Sequence, residues 1–220
     1  MVEYVTMQEF EIKDDVTARE EAGTPNIPGS IAMGLIAETL LAVGMDEIAA
    51  REHELTRELV RRLERIEGVH IYGSTDLERV PRAGVVSFNV LDLPHGLVAA
   101  YLNDFHDIAV RDGCFCAHPY VKTLLKVDDQ TEASYREEML CGDRRNIPGM
   151  VRASLGVYST REDVEALGHA LEELVRRAAE MRGRYQGDRD GTFRLVGAPA
   201  LPPTFRVETE VGRWLREPSR

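Results

Sequence analysis

Three short segments of this 220-residue chain carry side chains suited to chemistry. The first runs Val110-Arg111-Asp112-Gly113-Cys114-Phe115-Cys116-Ala117-His118-Pro119. A cysteine on a Gly- and Pro-bounded loop after a strand is placed for access rather than packing. Arg111 and His118 nearby favour the thiolate, the nucleophilic form. The competing reading is an inert, half-buried cysteine, because free cysteine is among the most buried residue types. The second segment is Val151-Arg152-Ala153-Ser154-Leu155-Gly156. An arginine within an apolar strand is costly unless it meets an anion. Arg152 therefore either clamps a ligand carboxylate with its planar fork or forms a salt bridge within the chain. The third, Gly23-Thr24-Pro25-Asn26, places a glycine turn and a hydroxyl before a helix. Such a turn offers backbone N–H groups to an anion such as a phosphate, or it is an ordinary helix start.

The elements that must position these residues can be read along the chain. Residues 1 to 22 are acidic and weakly patterned. Gly23 to Gly29 are dense in turn formers, which excludes helix and central strand. Ser30 to Val43 is apolar on most sides and suits a buried helix that Gly44 ends. Asp46 is placed to cap a second helix running to about Ile66, with Leu55, Leu59 and Leu63 on one face. Strands are expected at 69–72, 83–90, 108–111 and 150–155, and a helix at 97–105. The cysteine segment from Asp112 to Pro119 reads as a loop, and 128–147 as a polar excursion. Ser159 and Thr160 ahead of Glu162 and Asp163 form a capping-box pattern, and Val164, Leu167, Leu171, Leu174 and Val175 line the helix behind it. The sum is an α+β domain of two layers, helices on one face of a small, mostly antiparallel sheet. Residues 1–22 read as a closing segment of a larger domain and 23–182 as the small domain. Residues 183–220 read as an extended arm with a short strand or helix at Val207 to Leu215.

Composition narrows the function. The net charge is −11, and an acidic surface repels phosphate backbones, which argues against nucleic acid. No run of eighteen apolar residues marks a membrane span, and the first residues lack the pattern of a signal peptide. A cytoplasmic protein is the expectation. Three cysteines, Cys114, Cys116 and Cys141, do not make a disulfide framework. Lysine is scarce: Lys13, Lys122 and Lys126 are the full set.

Taken together and in order, the segments resemble the class V aminotransferases, and among them the SufS-like cysteine desulfurases. Gly23-Thr24-Pro25-Asn26 with Pro28-Gly29 is similar to the family's G-T-P-N segment. Arg111-x-Gly113-x-x-Cys116-Ala117-x-Pro119 resembles the R-x-G-x-x-C-A-x-P loop of the desulfurases. Arg152-Ala153-Ser154-Leu155-x-x-Tyr158-Ser159-Thr160-x-Glu162-Asp163 resembles their R-x-S-L-x-x-Y-N-T-x-E-E segment. The resemblance spans roughly residues 15 to 180. It implies a fold-type-I enzyme that uses pyridoxal 5′-phosphate as an electron sink on a small amino acid. It implies that Cys116 carries sulfur as a persulfide, that Arg152 binds the substrate carboxylate and that Arg111 lies beside the substrate. It implies that Gly23 and Thr24 reach a cofactor phosphate across a homodimer. Cys114 stands where histidine is frequent, so either thiol is a candidate for the reactive one.

One departure matters. The family's Schiff-base lysine lies upstream of G-T-P-N in a Ser/Thr-x-His-Lys context, and Lys13, within Glu11-Ile12-Lys13-Asp14-Asp15, does not match it. The resemblance therefore implies a C-terminal portion that works with a missing N-terminal half. The alternatives are an inactive remnant that folds and dimerises, an aminotransferase for another small amino acid, and a metal–thiol protein built on Cys114, Cys116 and His118.

Overall fold

The computed structural model of the chain describes residues 1–21 and 23–198. It divides into two compact units, Met1–Arg51 and Glu52 onward.

The first unit opens with an antiparallel hairpin, β1 (Val2–Val5) and β2 (Phe10–Ile12). Thr6 closes its turn, the hydroxyl accepting from the N–H of Glu9 at 2.9 Å. Asp15 caps α1 (Val16–Glu20) by accepting from the N–H of Ala18 at 2.7 Å. Residues 1–20 thus hold structure that their weak pattern does not announce. Asn26 then caps α2 (Ile27–Val43), its Oδ1 accepting from the N–H of Gly29 at 3.1 Å. A Cβ on Gly29 would lie 2.3 Å from the Asn26 amide nitrogen, so a larger residue there would displace the capping side chain. Gly44, at φ 99°, ends α2 as expected. The next helix, α3 (Met45–Glu64), starts at once, so Asp46 sits in its first turn rather than capping it. Its charge still favours the positive helix end. Within this unit α2 buries none of its residues, and Ile31, Met33, Leu35, Ile36 and Leu41 are exposed.

The second unit is built on a four-stranded sheet in the order β3-β4-β6-β5, with β3 (Val69–Ile71), β4 (Val85–Val90), β5 (Arg111–Gly113) and β6 (Met150–Ser154). Every pairing is antiparallel. Val86, Phe88 and Val90 of β4 alternate inward, as do Val151 and Ala153 of β6. They join Leu55, Leu59 and Leu63 of α3, Leu97 and Tyr101 of α4 (His95–His106), and Val164, Leu171 and Leu174 of α7 (Arg161–Arg176) in one core. The expected two-layer α+β arrangement is what the unit shows.

The helix α7 begins with the capping box foreseen. Thr160 Oγ1 accepts from the N–H of Asp163, and the Asp163 carboxylate accepts from the N–H of Thr160 at 2.8 Å. Ser159 serves differently: it is buried, and its hydroxyl accepts from the N–H of Gly156 at 2.9 Å. Arg62 of α3 donates to Glu165 at 3.0 Å and to Glu172 at 2.7 Å on α7, tying the two helices.

The structure moves three boundaries. Helix α2 starts at Ile27, inside the turn-rich segment expected to exclude helix, because Asn26 caps it and Pro28 falls in the first turn, where no N–H is needed. The strand expected at 108–111 is instead β5 at Arg111–Gly113. Asp107 closes α4 at φ 54°, and the N–H of Ile108 still bonds back to Leu102 O at 3.1 Å, so extended pairing begins three residues later. The loop and polar excursion after it contain α5 (His118–Leu125) and α6 (Asp129–Leu140). Asp128 caps α6, accepting from the N–H of Thr131 at 2.7 Å. Beyond α7 come α8 (Ala178–Arg184) and a hairpin of β7 (Tyr185–Gly187) and β8 (Phe193–Leu195). The hairpin packs on its own unit: Tyr185 donates to Asp104 at 2.8 Å, and Phe193 lies so close to Gly96 that a Cβ there would be 2.8 Å from its ring. Val207 to Leu215 lies outside the described residues.

Phe88 is wholly buried at the centre of the sheet. Phe88→Ala is expected to cost about 3–5 kcal/mol, read as a lower midpoint in urea unfolding followed by circular dichroism. Val85→Ala, on the opposite face of the same strand, is expected to change the midpoint little.

Candidate active site

The strand residues that do not enter the core form a second, polar face. Register sets its membership: Ser87 of β4 pairs with Arg152 of β6, and Arg152 pairs in turn with Arg111 of β5. One row across the sheet therefore carries a hydroxyl and two guanidinium groups. Directly paired residues in an antiparallel ladder have Cα atoms about 4.5–5.5 Å apart, and like charges so placed repel. No carboxylate pairs with Arg111 or Arg152 among the described residues. Instead the Arg152 guanidinium carbon lies 5.2 Å from the centroid of the Phe115 ring. Its Nε is buried and bonds to no acceptor among the described residues. Among the described residues the salt bridge that the sequence allowed for Arg152 is not formed.

Phe115 belongs to the cysteine segment, so the same contact ties that segment to Arg152. The backbone turns sharply here. Phe115 and Cys116 are consecutive non-glycine residues in the left-handed region, at φ 53° and 61°. Each such residue costs about 1–2 kcal/mol, and the surroundings must hold it. The N–H of Ala117 closes the turn on Cys114 O at 2.8 Å. Cys114 is the anchor: it is 9% exposed and donates its thiol proton to Pro148 O at 2.9 Å. Cys114, Val121 and Met150 make a small satellite core, with Tyr72, Phe115 and Ile147 packed against it. Cys116, at the turn's outer end, is exposed.

Burial pushes the Cys114 thiol above its ordinary pKa, with Lys122 opposing the shift. The thiol is therefore protonated and shielded, and Cys116 is the accessible sulfur of the two. Sequence pattern alone left this choice open.

Two further groups position the segment, and sequence reasoning passed over both. His95, at the start of α4, bonds Asp112 Oδ2 through Nδ1 at 2.8 Å and Ile147 O through Nε2 at 3.0 Å. Asp112 thereby faces away from the arginine row and stays out of reach of Arg111. Gly149 is packed so tightly here that a Cβ would lie 2.7 Å from His95 and from Gly113 Cα. Asn89, two residues beyond Ser87 on the polar face, donates to Tyr72 Oη at 3.3 Å and Gly149 O at 3.2 Å, and its buried Oδ1 has no protein donor. The only sequence signal was His95 behind Pro94, at the start of a helix.

Gly23 and Thr24 belong to the first unit, ahead of the capped start of α2. Gly23 has φ 80° with open space about its Cα, a conformation that favours glycine. Cys114, Cys116 and His118 do not assemble with a further ligand into a metal-binding group among the described residues.

Comparison with known proteins identifies the family. The profile described as aminotransferase class-V matches residues 1–167. The chain belongs to the class V aminotransferase family. A probable cysteine desulfurase of Halalkalibacterium halodurans is 33% identical over 174 residues, 79% of this chain and 36% of that protein. Another from Pyrococcus abyssi is 38% identical, covering 72% of this chain and 33% of that protein. Among solved structures, the apo cysteine desulfurase of Thermococcus onnurineus NA1 is 35% identical with a TM-score of 0.59, covering 80% of this chain and 37% of that one. The S-sulfonic acid form of an Escherichia coli cysteine desulfurase shares the fold at 24% identity and a TM-score of 0.57. These neighbours are fold-type-I enzymes. The chain spans about a third of the length of the relatives it matches.

The family implies pyridoxal phosphate, whose aldehyde must be held by a primary amine. The lysines of this chain do not fit that task. Lys13 pairs with Glu3 at 3.6 Å, Lys122 pairs with Glu132, and Lys126 closes α5 at φ 55°. None lies on a strand of the polar face.

Alkylation is the direct check on the two thiols. Iodoacetamide at neutral pH is expected to modify Cys116 and Cys141 well before Cys114, mapped by peptide mass spectrometry. Because burial disfavours its thiolate, Cys114 is expected to gain reactivity only at a higher pH than an ordinary thiol. Equal rates for all three would contradict this arrangement.

Proposed function

We propose that this chain supplies the substrate-carboxylate site and the sulfur acceptor of a cytoplasmic cysteine desulfurase. The observation that carries the reading is the Arg111–Arg152 pair on the polar sheet face, unpaired with any described carboxylate and joined to the cysteine turn through Phe115. Arg152 takes the α-carboxylate of L-cysteine through its fork, an interaction lysine cannot duplicate. Arg111 adds positive potential beside it and lowers the cost of an anionic substrate. Phe115 stacked on Arg152 limits the rotamers of the guanidinium, so less entropy is lost on binding. Cys116 accepts sulfur. The net exchange is L-cysteine and the Cys116 thiol giving alanine and a Cys116 persulfide. The carbon–sulfur bond breaks, a sulfur–sulfur bond forms, and the thiol proton balances the new carbon–hydrogen bond. No external oxidant is consumed. Free thiols at three positions suit a reducing compartment.

Pyridoxal phosphate, where the family uses it, supplies the electron sink for such chemistry, and its lysine comes from polypeptide other than these 220 residues. Gly23 and Thr24, before the start of α2, would serve as backbone and hydroxyl donors to its phosphate. The apolar surface of α2 within the first unit suits association, as a homodimer and with the complementary half.

Three outcomes test the reading. Combined with a polypeptide carrying the cofactor lysine, the chain is expected to release alanine from L-cysteine. Cys116→Ala abolishes that turnover and Cys114→Ala retains it. Arg152→Lys is expected to raise KM about tenfold or more with a smaller effect on kcat. Alanine release undiminished in Cys116→Ala would sink the assignment. In light scattering, the purified chain is expected at a mass above 24.7 kDa, and a monodisperse monomer would count against association.

A further inference from the structure

A cavity of about 500 Å³ lies beside the cysteine turn, between α5, α6 and residues 147–148. Its volume falls within the range of small-molecule sites, about 300–1,000 Å³. Tyr135, Met139 and Leu140 of α6 line it, with Ile147, Pro148 and the thiol-bearing Cys114. α6 buries none of its residues, and Leu140 is 75% exposed, so this apolar wall is open to water in the chain as it stands.

The charges around the cavity run against those of the molecule. The protein carries a net charge of −11, yet the lining holds His118, Lys122 and Arg136 against one carboxylate, Glu132. Lys122 and Glu132 pair with each other and cancel. Arg136 is left without a carboxylate among the described residues. An apolar chamber with one uncompensated guanidinium is complementary to a molecule that is apolar along its body and anionic at one end.

We propose that the α5–α6 cavity binds an amphipathic organic anion, a small aliphatic or aromatic carboxylate whose tail lies against Met139, Leu140 and Ile147 and whose head meets Arg136. The site is separate from the arginine row: neither Arg111 nor Arg152 lines it, and its occupant does not share the zwitterionic chemistry of an amino acid. Cys114, shielded and protonated in its wall, reports on occupancy. Cys116, which does not line the cavity, serves as an internal reference.

The test uses the full chain and octanoate as the probe, with octan-1-ol as the uncharged control. Modification of Cys114 and Cys116 by methyl methanethiolsulfonate is followed by mass spectrometry. Octanoate is expected to slow Cys114 and leave Cys116 unchanged. The concentration giving half protection is expected to rise about tenfold in Arg136→Gln, the loss of one charge-assisted contact, and to be restored in part by Arg136→Lys. Protection of both thiols alike, no protection, or octan-1-ol acting at the same concentration as octanoate would overturn the proposal. Equilibrium dialysis of labelled octanoate gives an independent reading should Cys114 prove too slow. One site per chain is expected, weakened in Arg136→Gln, and no saturable binding overturns the proposal.

Discussion

Two positive charges held face to face on a β-ladder are the constraint around which the second unit is arranged. Arg111 and Arg152 are register partners, and register is dictated by the inward alternation of Val151 and Ala153 against Val86 and Phe88. A slip of β6 by one residue would send Arg152 into the core and Val151 and Ala153 out. Packing on one face therefore enforces electrostatic repulsion on the other. Repulsion of this kind persists only where the core holds it or an anion relieves it. The acidic groups nearest in sequence do not relieve it: Asp112 is turned to His95.

The cysteine turn shows the same logic with backbone strain in place of charge. Two adjacent left-handed residues are unfavourable in isolation. They are held by a thiol bonded to a carbonyl, by a ring stacked on a guanidinium, and by a satellite core beneath. Cys114 and Cys116 have the same chemistry and lie two positions apart, but they take opposite roles, one as anchor and the other presented to solvent. Proximity to Arg152 comes through Phe115, which has no reactive chemistry of its own.

Within the first unit, a helix without a polar side is exposed along its length. Its composition suits an element that packs against further apolar surface, and the chain matches only about a third of the length of its relatives. The polar stretch between β5 and β6 contains two helices instead of a plain loop, and these helices wall a cavity whose charge opposes that of the molecule.

Much of the architecture was legible from the order of residues alone, because local periodicity and capping chemistry are short-range. The core faces of α3 and α7, the Gly44 stop, the Thr160–Asp163 box and the existence of strands near β4 and β6 all follow from neighbours within a few positions. So do the three candidate segments, whose residue types and spacing suffice to recognise the family. What only the tertiary structure decided is long-range. Arg111 and Arg152 lie 41 positions apart, and nothing local says they share a row. The burial of Cys114 and the exposure of Cys116 depend on a carbonyl at Pro148, and the part played by His95 depends on Asp112 and Ile147. The shift of β5 to Arg111 came from the way α4 ends, a hydrogen bond that takes Ile108 out of strand pairing. Sequence determines which groups are available and which faces they prefer, whereas folding sets which of them meet, because strand register and burial are properties of the whole core.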